Sequence, residues 1–287
     1  MRNLAIVANC GKERAADVLR RVAVKSGGLG LRLFTDPATA ALLGDGRMTV
    51  AANLFDEVDA VMALGGDGTL LRVVRELDGR DVPVIGVNLG GLGFLTSVSE
   101  EESDAALESL AAGRVTYAVH AIAECRAERE GATPGSYRAL NDVVVTCGTT
   151  ARVVTLEVAV DGDHVSSYVC DGLIVATPAG STGHSLSAGG PILVPETGAF
   201  VISLICPHTL SSRPLVVSDR SVIAITAQEC VRPLLLSVDG QVGQPLQQGD
   251  RVIVRRSERS VRLIHLPGYT YFGVLRQKLH WRGSSAR

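Results

Sequence analysis

Ala60-Val61-Met62-Ala63-Leu64-Gly65-Gly66-Asp67-Gly68-Thr69-Leu70-Leu71-Arg72-Val73-Val74-Arg75-Glu76-Leu77 is the stretch on which the fold turns. The apolar run 60–64 suits a buried strand, and an amphipathic helical pattern begins near Thr69. Between them the chain breaks at Gly65-Gly66 and places a carboxylate, Asp67, between glycines. Glycines let the backbone approach a ligand closely, and the start of a helix offers unpaired N–H groups that favour anions. A carboxylate beside such a cradle would repel an anionic ligand unless it had chemistry to perform. The chemistry that fits is removal of a proton from a hydroxyl attacking phosphorus, which points to phosphoryl transfer without a Walker sequence. The bland reading is a strand–helix turn in which Asp67 caps Thr69 or Leu70. Arg72, on the same helix, reads either as a phosphate or ribose contact or as a solvated arginine.

Outward from this motif, strand-like and helix-like segments alternate over the first ~115 residues, the pattern of a parallel α/β sheet. Strands are expected at 4–8, 31–34, 60–64 and 84–87, and helices at 14–25, 39–43, from 69 onward and at 100–112. After Gly113 the pattern becomes β-branched runs separated by turn residues: 143–146, 153–160, 165–169, 173–177, 200–206, 222–226, 234–238 and 251–255. Asp161-Gly162 between two of these is a hairpin signal. Residues 269–281 read as helix again, and 282–287 as a frayed tail. The domains expected are an α/β domain over 1–115, an all-β domain over 116–266 and a C-terminal segment over 267–287 that returns to the first.

The 287 residues carry 28 Lys+Arg against 30 Asp+Glu. They show no basic run longer than the pairs Arg20-Arg21 and Arg255-Arg256, which argues against nucleic-acid binding. No apolar run reaches the ~18–20 residues a membrane span needs, and the short apolar stretch 4–8 reads as a first strand rather than a signal peptide. The six cysteines (Cys10, Cys125, Cys147, Cys170, Cys206, Cys230) are scattered without a Cys-x-x-Cys pair. That argues against a zinc site and against a disulfide scaffold, and fits a reducing cytoplasm. Lysine occurs only at 12, 25 and 278, so phosphates must meet arginine forks, backbone N–H groups or a metal.

Two further motifs carry polar groups at strand ends. Asn141-Asp142 opens the run 143–146; an ordinary turn explains it, but a carboxylate with an amide is also well suited to ribose hydroxyls. The longer one is Asp171-Gly172-Leu173-Ile174-Val175-Ala176-Thr177-Pro178-Ala179-Gly180-Ser181-Thr182-Gly183-His184-Ser185-Leu186-Ser187-Ala188-Gly189-Gly190-Pro191. Gly/Ser runs are usually linkers. This one is framed by apolar strands and carries Pro178, Pro191 and a lone histidine, which fits a binding loop presenting hydroxyls and backbone groups.

Together, Gly-Gly-Asp-Gly-Thr, Asn-Asp, the 171–191 motif and the ending Tyr271-Phe272-Gly273-Val274-Leu275-Arg276-Gln277-Lys278-Leu279-His280-Trp281 resemble the NAD kinase family over most of the chain. Gly-Gly-Asp-Gly-Thr alone is shared with diacylglycerol, sphingosine and 6-phosphofructo-kinases. The resemblance implies a Rossmann-like parallel sheet followed by a β-sandwich. It also implies transfer of the γ-phosphoryl group of ATP, with a divalent metal such as Mg²⁺, to the 2′-hydroxyl of the adenosine ribose of NAD. By matching motif, Asp67 would accept the proton, Gly68 and Arg72 would line the NAD site, and Asn141 and Asp142 would hold the NAD. Arg152 would approach the phosphates, and Asp171 would meet the nicotinamide end. Ala179 with Thr182, Gly183, His184, Ser185 and Ser187 would form the wall, and Gln241 a further contact. Backbone N–H groups at 65–68 and near Gly90-Gly91 would hold phosphate oxygens. The family commonly forms homodimers or homotetramers through its β domain.

This chain departs from the family pattern at three places. Asp142 stands where Glu is usual, Gly183-His184 where Ala-Tyr is usual, and Ala179 where Thr is usual. The first shortens a carboxylate's reach, and the second replaces an aromatic surface by imidazole. The alternatives are a lipid or sugar kinase of the same superfamily and a non-catalytic dinucleotide-binding regulator. A dehydrogenase lacks support, because Asn9-Cys10-Gly11-Lys12 stands where a Gly-x-Gly-x-x-Gly turn would be.

Overall fold

The computed structural model describes residues 1–44, 46–91, 93–129, 131, 133–147, 153–229 and 234–281. Arg152, the turn 148–150, Cys230 and the 282–287 tail lie outside them. In chain order the first elements are β1 (Asn3–Ala8), α1 (Ala15–Gly28), β2 (Arg32–Thr35), α2 (Pro37–Leu43), β3 (Thr49–Val50), β4 (Ala60–Gly65), α3 (Asp67–Leu77), β5 (Val84–Asn88), β6 (Val98–Ser99) and α4 (Ser103–Ala111). Then come β7 (Thr116–Glu128), β8 (Gly135–Ala139), β9 (Asp142–Cys147), β10 (Val154–Val160), β11 (Asp163–Cys170), β12 (Gly172–Ala176) and α5 (His184–Ser187). The chain closes with β13 (Ala199–Ile205), β14 (Leu215–Ser218), β15 (Ile223–Glu229), β16 (Leu234–Val238), β17 (Val242–Leu246), β18 (Arg251–His265) and α6 (Tyr271–Lys278). It divides into two compact units, Met1–Val119 with Val261–Arg287, and His120–Ser260.

The first unit is built on a parallel sheet in the order β5-β4-β1-β2-β3. β4 and β5 are buried along their whole length and β1 along nearly all of it. Strands covered on both faces need near-continuous apolar runs, and their sequences supply them. Leu19 and Val22 of α1 and Leu107 and Leu110 of α4 share one core with Ile6, Met62 and Ile85. On the surface the same two helices are joined by an ion pair between Lys25 and Glu108.

The second unit has two antiparallel layers. β9, β12 and β13 form the centre of one, in the order β14-β13-β12-β9-β16-β17, and β10 pairs with β11 and β15 in the other. Val143, Leu173, Phe200 and Leu236 from one layer pack with Leu156, Ile225 and Val254 from the other in a single core. Cys125 and Cys170 are buried in it, and burial pushes their thiols up to about 12 and about 11, so both behave as small hydrophobes. The hairpin forms at Asp161-Gly162 with both residues at positive φ.

The largest difference from the sequence reading is β18, expected over 251–255 and found over Arg251–His265. Its exterior positions are arginine, serine and glutamate, which read as a loop. On the folded chain three of its five arginines are paired, Arg255 with Glu124, Arg256 with Asp219 and Arg262 with Asp81. Among the described residues, no helix is long and apolar enough to cross a membrane.

Candidate active site

Asp67 is the first residue of α3, and Gly66 in extended conformation stands before it. The register pairs Gly65 with Asn88, so both motifs leave the sheet side by side at its carboxyl edge, where open α/β sheets bind ligands. The side chain of Asp67 does not cap its own helix; the N–H groups of Thr69 and Leu70 reach the Gly66 carbonyl instead. Its carboxylate is held by the loop after β5. Phe94 N–H donates to Oδ2 at 2.9 Å, and Leu95 N–H, Thr96 N–H and the Thr96 hydroxyl donate to Oδ1 at 3.2, 3.0 and 2.9 Å. This loop can approach only because Gly93 has no side chain. A Cβ there would fall inside the van der Waals radii of Asp67 Oδ1 and Thr96 Oγ1.

Gly68 is exposed beside Asp67, and Arg72, one turn later, donates from Nη2 to the Ala8 carbonyl at 3.1 Å. The arginine thereby ties α3 to the end of β1. A polar pocket of about 620 Å³ opens in this same unit, lined among others by Asn88, Gly90, Ser97, Glu102, Thr270 and Gln277. Lys12, absent from the sequence reading of the site, reaches its edge. A Cβ placed on Gly90 would lie 4.0 Å from Lys12 Nζ and 3.7 Å from Asn88 Oδ1.

In the second unit the sequence-selected residues gather around Asn141-Asp142. The organiser is Asp239, on the turn after β16, whose carboxylate accepts the N–H groups of Leu140, Asn141 and Asp142 at 2.9, 2.8 and 3.0 Å. Its own N–H returns to the Asp142 carbonyl at 3.0 Å. Burial in the first place, and then the Asp239 charge, push the Asp142 carboxyl up to about 7. Asn141 Oδ1 is buried without a hydrogen-bond partner. Buried polar atoms are rarely left so, and an orphan beside a cluster of polar groups is the mark of a ligand contact.

The loop after β12 starts against this pair. Thr177 donates its N–H to Asn141 O at 2.9 Å and its hydroxyl to Leu140 O at 2.5 Å, and Gly180 passes the Asn141 carbonyl with no room for a Cβ. The loop was expected to present hydroxyls, but several are turned inward. Ser181 donates to Pro178 O, Thr182 to Ala179 O, and Ser185 pairs with Ser203 at 3.0 Å. The wall that Ala179, Thr182 and Gly183 begin is thus held by its own hydroxyls, leaving His184 and Ser187 exposed.

Asp171 is not brought to this cluster. Gly172 pairs with Thr146 and Ala176 with Asp142, so Asp171 stands at the opposite end of β12, about 15 Å along the strand. Gln241 is exposed on the β16–β17 turn next to Asp239. In the sequence Asp239 is indistinguishable from an ordinary Asp-Gly turn residue; its place on the same β16–β17 turn as Gln241 is the only local signal.

The comparisons with known proteins agree on one family. The model of the ATP-NAD kinase N-terminal domain matches residues 4–115, and that of the ATP-NAD kinase C-terminal domain matches residues 140–266. The chain is 42% identical to the NAD kinase of Syntrophotalea carbinolica, over 98% of this chain and 99% of that one. It is 46% identical to the NAD kinase of Gemmatimonas aurantiaca over 80% of each. Among solved structures, yeast NADH kinase complexed with NADH superposes with a TM-score of 0.90 at 25% identity, covering 100% of this chain and 89% of that chain. An NAD kinase from Archaeoglobus fulgidus in complex with ATP superposes with a TM-score of 0.78 at 26% identity, covering 98% of this chain and 100% of that chain.

Proposed function

The chain belongs to the NAD kinase family and phosphorylates NAD to NADP with ATP as donor; on that premise we propose that Asp67 takes the proton of the adenosine ribose 2′-hydroxyl. The new bond forms between that oxygen and the γ-phosphorus as the bond to the bridging oxygen breaks and ADP leaves. The proton passes to the Asp67 carboxylate. Such transfers run through loose transition states, so positioning and charge neutralisation contribute most. The observation that supports this reading best is the fixed Asp67 carboxylate at the carboxyl edge of the parallel sheet, one of whose oxygens accepts a single hydrogen bond.

Asn88, Gly90 and Lys12 border a pocket suited to the phosphoryl donor, with Lys12 supplying positive charge beside the glycines. Among the described residues no three His, Cys, Asp or Glu side chains converge on a metal position. The divalent cation implied by the family would enter with ATP and would supply neutralisation of the charge on its phosphates. Arg72 and Gly68 would line the acceptor, and Asn141, Asp142, His184, Ser187 and Gln241 would bind NAD. Arg152 retains its phosphate role as an expectation from the resemblance. Asp171, at the far end of its strand, keeps its nicotinamide role as an expectation from the resemblance, and so does assembly into a homodimer or homotetramer. The scattered free cysteines fit a cytoplasmic enzyme.

The test is incubation of the purified protein with NAD or NADH, Mg²⁺ and ATP or polyphosphate, with NADP(H) as readout, on wild type and Asp67→Asn. Positioned general-base catalysis contributes roughly 10²–10⁴-fold, so the variant should lose at least 100-fold in kcat while calorimetry still detects NAD binding. Near-normal turnover by the variant removes Asp67 from the mechanism.

A further inference from the structure

We propose that Thr96 and Asn88 are positioning residues for Asp67, forming a buried hydrogen-bond chain that decides which carboxylate oxygen stays open to the substrate. The inference rests on the reading of Asp67 as proton acceptor and deepens it.

A carboxylate has about four lone-pair sites, two on each oxygen. Asp67 Oδ1 receives three donors, from Leu95 N–H, Thr96 N–H and Thr96 Oγ1, and is filled. Oδ2 receives one, from Phe94 N–H, and retains a site. The acceptor for a substrate hydroxyl is therefore Oδ2, and the group cannot rotate to offer the other oxygen without breaking four bonds.

The direction of the Thr96 hydroxyl is itself imposed. Asn88 Nδ2 donates to Thr96 Oγ1 at 2.8 Å. An amide N–H can only donate, so the single hydrogen of the threonine hydroxyl is left for Asp67 Oδ1. Thr96 is fully buried and Asn88 nearly so, so water does not compete for either bond. Asn88 meanwhile lines the polar pocket, with its Oδ1 beside Gly90. The chain from Asn88 through Thr96 to Asp67 thus connects the wall of that pocket to the reacting carboxylate. Gly93 is the steric condition for it, since no side chain fits between Asp67 and Thr96.

Steady-state kinetics with NAD and MgATP on Thr96→Val, Thr96→Ser, Asn88→Asp and Asp67→Asn test the proposal. Hydrogen bonds to a charged acceptor carry enough free energy for roughly tenfold or more in kcat. Thr96→Val should lose that much with KM for NAD within about twofold, and Thr96→Ser should stay within about threefold of wild type. Asn88→Asp exchanges a donor for an acceptor, draws the Thr96 hydrogen away from Asp67, and should also lower kcat about tenfold. Wild-type kcat in Thr96→Val, or equal losses in the valine and serine variants, overturns the proposal. Should the valine variant fail to fold, the other pair decides: a drop in kcat of Asn88→Asp with KM for MgATP unchanged, and retention in Thr96→Ser, supports it, whereas wild-type kcat in Asn88→Asp, or a loss carried by KM for MgATP, sinks it. If Asp67→Asn keeps turnover, the proton-acceptor reading fails; if it loses turnover while Thr96→Val does not, only the positioning chain fails.

Discussion

Asp239, on the turn after β16, shares its surroundings with Asp142, the first residue of β9, and the second carboxylate adds to burial in pushing Asp142 up to about 7. In the unfolded chain the same group titrates near 3.8. Its folded value is raised, so its contribution to stability is complete below pH ~4 and is lost as pH rises through 7. Asp142→Asn removes this titration. The melting temperature of the variant should rise relative to wild type between pH 5 and 8. If Asp142 holds NAD hydroxyls as a carboxylate, wild-type KM for NAD should fall from pH 6 to 8, and the variant should show no such slope. Parallel pH profiles of KM in the two proteins would separate Asp142 from NAD binding.

Two glycines make opposite kinetic predictions because they crowd different groups. A Cβ on Gly93 would displace the Asp67 carboxylate and Thr96, whereas one on Gly180 would displace the Asn141 carbonyl. Gly93→Ala should therefore cost about tenfold or more in kcat with little change in KM for NAD.

Gly180→Ala should raise KM for NAD about tenfold, with kcat at saturation nearer wild type, because it moves the Asn141-Asp142 pair rather than the base. Each substitution disturbs packing of the kind that costs ~1–3 kcal/mol, so melting temperatures are to be recorded alongside. A Gly180→Ala enzyme that loses kcat and keeps its KM would break the division of labour between the two motifs.

The fold was legible where one physical rule dominated. Strands 60–64 and 84–87 announced themselves because burial on both faces demands unbroken apolar runs, and 161–162 because two positive φ angles select Asp-Gly. β18 was read ten residues short because its arginines hide a period-two pattern, visible only once Glu124, Asp219 and Asp81 are placed opposite them. In the site, Asp67, Asn141 and Asp142 were legible as chemistry-bearing residues at element boundaries. Thr96, Asn88 and Asp239 were not, since their importance lies in long-range partners: Asp239 is 97 to 99 residues from the N–H groups it accepts. The hydroxyls of the 177–190 loop looked available in the sequence, and the folded loop satisfies its own backbone with several of them.

His120, in β7, supplies a stability switch of the opposite sign. It is 5% exposed, neither ring nitrogen has a hydrogen-bond partner, and burial pushes its pKa from 6.5 down to about 4. Between those values the unfolded chain binds a proton that the folded chain refuses, so stability is complete above pH ~6.5 and falls as pH drops toward 4. From pH 7 to pH 5 the loss is about 2 kcal/mol. His120→Leu keeps an apolar body in the strand and removes the titration. Because Asp142 gains stability over the same descent, the comparison belongs in an Asp142→Asn background. There, urea midpoints should fall from pH 7 to 5 with His120 present and stay nearly level with leucine in its place. Equal falls in both proteins would mean that the ring is reached by water or a partner in solution.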